Sequence, residues 1–237
     1  MFSPPSLVAG QDVVALEAST AYTKYPEYPS AAAFIRATIP DSKLIYIMRN
    51  PFDRIRSHYN FSFANNQVYN FHVRKKIRLK QPREIPELAT ISDYFLQLSF
   101  YDFFFDRGQM LLLDFDEIKD NPLGAVQKVF RFLDVEPCEC IAFKAANITS
   151  SKTVFTSLES VRRLIPHFLS SKIPLNFKHA VKTVENKFFG KLPIDALPCH
   201  MHSLSESDYD FYLNMLSPSM ERLSQAYGVD VARWGFK

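Results

Sequence analysis

Glycine is scarce in this chain, with six in 237 residues, and so is cysteine, with three. A fibrous repeat or a low-complexity segment needs far more glycine, so both are excluded. The cysteines are Cys138, Cys140 and Cys199. An odd count in a chain of this size does not read as a disulfide framework. Cys138 and Cys140 lack a second close pair of Cys or His to complete a zinc site, so no metal is expected. Long apolar runs are missing too: nothing approaches the ~20 residues of a membrane span. The N-terminus, MFSPPSLVAGQDVVALEAST, has no basic leader and no clean apolar stretch. The cytoplasm is therefore the expected compartment, with a Golgi-lumenal parent as the alternative. The sequons at Asn60 and Asn147 matter only in a secreted protein.

Charge of one sign is also lacking. The chain has 28 Lys+Arg against 25 Asp+Glu, a net +3. That is too little to argue for nucleic-acid binding. It suits an anionic ligand wherever positive charge gathers locally. What is abundant is apolar and aromatic: 47% hydrophobic residues, with 22 Phe and 11 Tyr. A chain of this length and balance can bury a sizeable core as one domain, residues 1–237. The phenylalanines read as that core rather than as base-stacking platforms.

Residues 12–17, DVVALE, read as a short buried strand. Residues 30–38 read as a helix ending before Pro40. Lys43–Met48, KLIYIM, is a clearer strand, and its continuous apolar character predicts burial on both faces, as in a parallel sheet. Asn50-Pro51 opens a helix: Asn caps, Pro suits the first helical position, and Asp53 complements the dipole. Phe52, Ile55, Tyr59 and Phe63 share one face of it, while Ser57 lies off that face near Asp53 and Asn60. Residues 70–91 are mixed and basic, with Arg74, Lys75, Lys76, Arg78, Lys80 and Arg83. An aromatic helix is expected from Asp93 to Asp106, a strand over Met110–Phe115, and a helix from Asn121-Pro122 to Leu133. Beyond a weakly patterned stretch, Ser205–Tyr227 reads as a last helix carrying Pro218, followed by a tail with Trp234. Strands alternating with helices imply an α/β fold with a mostly parallel sheet flanked by helices.

The segment Lys43–Tyr59 has the logic of an anion site. Ligands of open α/β sheets bind at the carboxyl ends of the strands. Arg49 stands at such an end with a planar fork suited to phosphate. The helix N-terminus that follows adds donors and a favourable dipole, and Ser57 offers a hydroxyl. From the residues alone the signal is weak, because an Arg at a strand end before an Asn-Pro cap is often just a surface salt bridge.

RNPFDRIRSHY also resembles the 3′-phosphate-binding element of the sulfotransferases that use the activated-sulfate nucleotide PAPS, in particular their heparan-sulfate-like and bacterial branches. Leu16–Pro26, LEASTAYTKYP, is similar to that family's Glu-x-Ser-x-x-Tyr segment. Met110–Val135 resembles its later strand–Glu–helix block, and the C-terminal helix leading to Trp234 is typical. The resemblance implies a P-loop-NTPase-like sulfotransferase fold, PAPS as co-substrate with PAP (its desulfated form) as product, and no metal. It places Arg49 and Ser57 on the 3′-phosphate. It offers Glu17 as the carboxylate at the acceptor, although Ala18 stands where the family often has Lys. A structural role for Glu17, as partner of Arg49 or Lys24, is the alternative. His58 reads as a helix-surface or packing residue. Lys75 and Lys76 would help collect an anionic acceptor if the basic stretch is more than a solvated loop.

One element of the family is not found. Residues 1–48 contain no Lys-x-Gly-Thr-Thr-Ser-like loop for the 5′-phosphosulfate; Gly10 stands alone beside Gln11. A phosphate cradle needs successive backbone N–H groups and a Lys. The expectation is an N-terminally incomplete fold whose open edge takes a partner chain. The functional readings are a sulfotransferase acting on a hydroxyl or amine, or a non-catalytic relative keeping the 3′-phosphate half-site as a binding module. A nucleotide kinase would need a Walker-type loop, which is absent from the sequence.

Overall fold

The computed structural model of the protein describes residues 14–64, 68–70, 73–75, 81–137, 153–155, 191–193 and 203–237. Helix α1 (Ala31–Thr38) precedes strand β1 (Leu44–Met48), and helix α2 (Pro51–Ala64) follows it. Two three-residue strands, β2 (Val68–Asn70) and β3 (Val73–Lys75), pair antiparallel. Helices α3 (Glu87–Ser92) and α4 (Tyr94–Asp102) lead to β4 (Met110–Asp114), then α5 (Phe115–Asp120) and α6 (Pro122–Leu133). Strands β5 (Thr153–Phe155) and β6 (Lys191–Pro193) form another antiparallel pair, and α7 (Glu206–Tyr227) precedes the tail.

The parallel pair β1–β4 sets the geometry. Leu44 lies opposite Met110, and the register runs to Met48 opposite Asp114. Both strands therefore end at the same level, and Arg49 and Phe115 leave the sheet side by side. Parallel strands put their hydrogen bonds between segments far apart in sequence, so helices must cover them. Here α2 lays Phe52, Ile55 and Tyr59 into the core with Met48; α3 and α4 add Leu88, Tyr94 and Leu98. The far side of that core is α7, through Tyr212, Leu216, Met220 and Leu223, and then Val231, Trp234 and Phe236 of the tail. The 3- and 4-residue spacings on α2 and α7 are what one buried helical stripe requires.

Caps define the elements. The Asn50 side-chain oxygen accepts the Phe52 N–H at 2.9 Å, and Asn121 likewise accepts from Gly124 at 3.0 Å, each just before a proline at the first helical position. Asp93 caps α4 by accepting from Leu96 N–H at 2.9 Å and takes the Ser219 hydroxyl of α7 at 2.7 Å, tying the two helices. Ser205 and Asp208 close a capping box on α7, whose Asp208 also accepts the Arg83 N–H at 3.0 Å.

Three sequence expectations are corrected. Residues 14–17 form no strand; Val14 and Leu16 are exposed, and none of the described strands pairs with this segment. Strand β1 is not buried on both faces, because Ile47 keeps 52% of its surface in solvent. Helix α4 ends at Asp102 rather than Asp106, and Phe103 just beyond it is 84% exposed rather than core. All three have one physical root: apolar character is read locally, whereas burial needs a second element to arrive. The three cysteines and Asn147 lie outside the described residues.

Candidate functional site

At the shared C-terminal end of β1 and β4, charged side chains converge. The Arg49 guanidinium lies 3.5 Å from Asp53 on the first turn of α2, and its carbon sits 5.4 Å from the centre of the Phe115 ring. Its side chain is 33% exposed, so part of its five-donor fork still faces solvent. Asp53 is shared, with Arg56 closer at 2.7 Å. Ser57 is one helical turn beyond Asp53 on the same side of α2, half-buried, and its hydroxyl makes no hydrogen bond among the described residues. Arg49, Asp53 and Ser57 thus line up, with the carboxylate between the two groups assigned to phosphate.

The backbone of Arg49 is held from below by Tyr94, which is fully buried on α4. Its hydroxyl accepts the Arg49 N–H and donates to the Arg49 carbonyl. Burial raises the Tyr94 pKa, which keeps that hydroxyl protonated and able to donate. Tyr94 itself packs edge-on to Tyr46, with centroids 5.9 Å apart, and against Trp234 at 5.7 Å. Arg54 does not face the crevice. It donates to the Ile91 carbonyl and, at 3.3 Å, to the Ser92 hydroxyl, and lies over the Tyr94 ring.

Opposite Met48, Asp114 caps α5 by accepting the Asp116 N–H at 2.7 Å and pairs with Arg233 of the tail at 3.3 Å. Neither Tyr94 nor Arg233 was legible as a site residue. Arg233 is next to Trp234, which marked the tail, and Asp114 ends the MLLLDF strand; those were the available signals.

The other candidate residues are elsewhere. Glu17 is exposed in a turn-rich segment and accepts a hydrogen bond from the Tyr22 hydroxyl, whose pKa that contact raises. It pairs with Tyr22 instead of Arg49 or Lys24. It borders a cavity of about 480 Å³ between α1, the first half of β1 and α4, lined by apolar side chains such as Ile35, Leu44 and Leu98. Tyr46 is the last β1 residue in that lining, about 10 Å of strand short of Arg49. The structure does not bring Glu17 into the Arg49 cluster. His58 is half-buried on α2, and burial, then the Arg54 and Lys24 cations, lower its pKa to about 4. It is neutral at pH 7 and adds no positive charge. Lys75 is the last residue of β3, and Lys76 lies outside the described residues.

A parallel strand ends in an arginine, with a capped helix N-terminus behind it and a hydroxyl two turns on; the fold is α/β, and these groups face one crevice at the strand ends. The family model described as the sulfotransferase domain matches residues 31–178, more than half of the chain. The chain belongs to the sulfotransferase domain family. In fold it is similar to the crystal structure of a sulfotransferase from Alicyclobacillus acidocaldarius, with a TM-score of 0.50 and 17% identity. That match covers 89% of this chain and 64% of the other, so the chain spans just under two thirds of that protein's length. No curated protein matches it in sequence. Among the described residues, no helix is long and apolar enough to cross a membrane.

Proposed function

We propose that the chain binds PAPS by its 3′-phosphate and transfers the sulfuryl group to an acceptor hydroxyl or amine. The observation that carries this reading is Arg49: fixed by its backbone at a strand end, loosely paired to Asp53, and one third exposed beside an unpartnered Ser57. These groups fit a phosphate. Arg49 supplies a charged fork, Ser57 a hydroxyl, and the α2 N-terminus a favourable dipole. Use of PAPS is typical of the family.

PAPS, when bound, supplies a sulfuryl group on a good leaving group. The acceptor oxygen or nitrogen forms a bond to sulfur as the bridging S–O bond breaks, PAP departs with the electron pair, and the acceptor proton goes to a base. Catalysis of such in-line transfer comes chiefly from positioning and from cations near the spreading charge. Arg49 and Ser57 provide the positioning, through the end of the nucleotide remote from the reaction. Glu17 is the carboxylate assigned to take the proton, on the strength of its Glu-x-Ser-x-x-Tyr segment and its place at the rim of the cavity. Lys75 and Lys76 are assigned to an anionic acceptor.

Calorimetric titration with PAP and transfer of labelled sulfate from PAPS test the reading. Arg49→Ala is expected to weaken PAP binding more than Ser57→Ala, roughly 1.5–3 kcal/mol against ~1, because a charged forked contact outweighs a lone hydroxyl. PAP binding without transfer would leave a half-site binding module. Absence of PAP binding, or binding indifferent to Arg49→Ala, would end the assignment. A Glu17→Gln variant with unchanged turnover would remove Glu17 from the chemistry.

A further inference from the structure

We infer that the cavity between α1, β1 and α4 is a second ligand site, taking an elongated, uncharged molecule with an apolar body and a hydrogen-bonding group at each end. The inference does not rest on the nucleotide reading. The floor of the cavity is one face of the parallel pair. Side chains two apart along a strand share a face, and the register sets Leu44 beside Met110 and Tyr46 beside Leu112. All four line the cavity, with Ile35 of α1 and Leu98 of α4 as its walls. Its volume, about 480 Å³, is that of a small-molecule site. Tyr46 is the last β1 residue in the lining, so the site stands apart from the Arg49 crevice.

Two hydroxyls in that lining are buried without a hydrogen bond among the described residues, Ser42 Oγ and the Tyr46 phenol. Thr23 lies close to the Tyr46 oxygen, but the two do not bond. Buried hydroxyls left without a partner are costly, and native proteins keep few of them. Here both face one cavity, so one ligand can satisfy both. Burial raises the Tyr46 pKa, so the phenol stays protonated and can donate as well as accept. Four residues separate the pair, about 13 Å of extended chain, and that spacing sets the length of the ligand.

The charges select an uncharged ligand. Among the described residues that line the cavity, Glu17 and Lys43 alone are charged. Glu17 is exposed at the rim and accepts the Tyr22 hydroxyl. Lys43 donates to the Phe132 carbonyl at 2.7 Å and lies over the Phe132 ring, which is no part of the lining. A carboxylate entering the cavity would give up its hydration without meeting a free cation, and an ammonium would find its only counter-charge at the exposed rim. Hydroxyl or carbonyl ends exchange water for Ser42 and Tyr46 at little cost.

Calorimetric titration with a straight ten-carbon diol, hydroxylated at both ends and about as long as the Ser42–Tyr46 spacing, tests the site. Decanol and the ten-carbon dicarboxylate are the comparison probes. Expected is saturable one-to-one binding of the diol, with decanol about threefold weaker or more and the dicarboxylate at least about tenfold weaker. Ser42→Ala and Tyr46→Phe should each weaken the diol about threefold or more. Their urea midpoints should stay equal or rise, because each substitution removes an unpartnered buried group; a structural hydroxyl would lower the midpoint instead. Four results overturn the inference: no saturable binding, affinity unchanged in both variants (adventitious apolar partition only), a dicarboxylate that matches the diol, or a midpoint that falls in both variants. PAP titration of the same two variants should match the intact protein, so failure of this site and failure of the nucleotide reading are separately visible.

Discussion

The Tyr94 hydroxyl accepts the Arg49 amide hydrogen at 3.2 Å and donates to the Arg49 carbonyl at 2.6 Å, so one buried side chain grips both backbone polar groups of the crevice arginine. Tyr94→Phe keeps the ring packed on Tyr46 and Trp234 and deletes only those bonds. It is expected to cost about 1–2 kcal/mol of stability, because two part-buried backbone groups lose a partner. PAP affinity should fall several-fold as Arg49 loses its fixed starting point. Urea unfolding and PAP titration on the same variant read both effects. Unchanged values in both would mean that Arg49 is held by β1 alone.

Asp53 works in opposite directions on fold and ligand. Its carboxylate suits the positive N-terminal end of α2 and pairs with Arg56 and Arg49, yet it stands between the groups assigned to phosphate. Asp53→Asn should lower stability by about 0.3–1 kcal/mol and tighten PAP binding. Weaker PAP binding in this variant would show that Asp53 orients Arg49 more than it competes for it.

His58 predicts a pH dependence of stability. Its pKa falls from an ordinary 6.5 to about 4 in the folded protein, by burial first and then by Arg54 and Lys24. Between those values the unfolded chain binds the proton more readily than the folded one. The folded state therefore carries no penalty from His58 above pH 6.5 and is progressively destabilised as pH drops toward 4. Denaturant midpoints measured at pH 7 and pH 5 should differ, and His58→Gln should narrow the difference. An equal pH slope in the variant would assign acid sensitivity to other groups.

Gly235 is the tail's hinge. With φ at +90°, and with the Tyr209 hydroxyl 3.0 Å from where a Cβ would stand, Gly235→Ala is strained twice over. A loss on the order of 1 kcal/mol or more is expected in thermal or chemical unfolding.

Much of the scaffold was legible because its signals are local. The apolar runs at Leu44–Met48 and Met110–Asp114 and the Asn-Pro starts of α2 and α6 lie within a few residues of one another, and each became the expected element. The buried face of α2 followed from spacing alone for Phe52, Ile55 and Tyr59. DVVALE carries the same local signal as β1 but acquires no described partner strand, and pattern cannot report a partner. The site divides the same way. Arg49 and Ser57 sit within one strand–helix unit, and the resemblance picked them out. Tyr94 reaches Arg49, and Arg233 reaches Asp114, only through tertiary packing, from another helix and from the far end of the chain. Their residue types gave no hint, since a tyrosine in an aromatic helix reads as core and a lone arginine in a tail reads as surface.

The pairing of Leu44 with Met110 closes a span of 66 residues. Closing such a loop costs entropy that local helix formation does not, and non-local pairing slows folding. Arg49 and Asp114 become neighbours only when that closure is complete. A ligand that needs both strand ends would therefore recognise a finished fold, and its presence would draw the closing equilibrium toward completion by mass action. Nucleotide supply would then govern how much of this chain persists folded, as well as how much of it works.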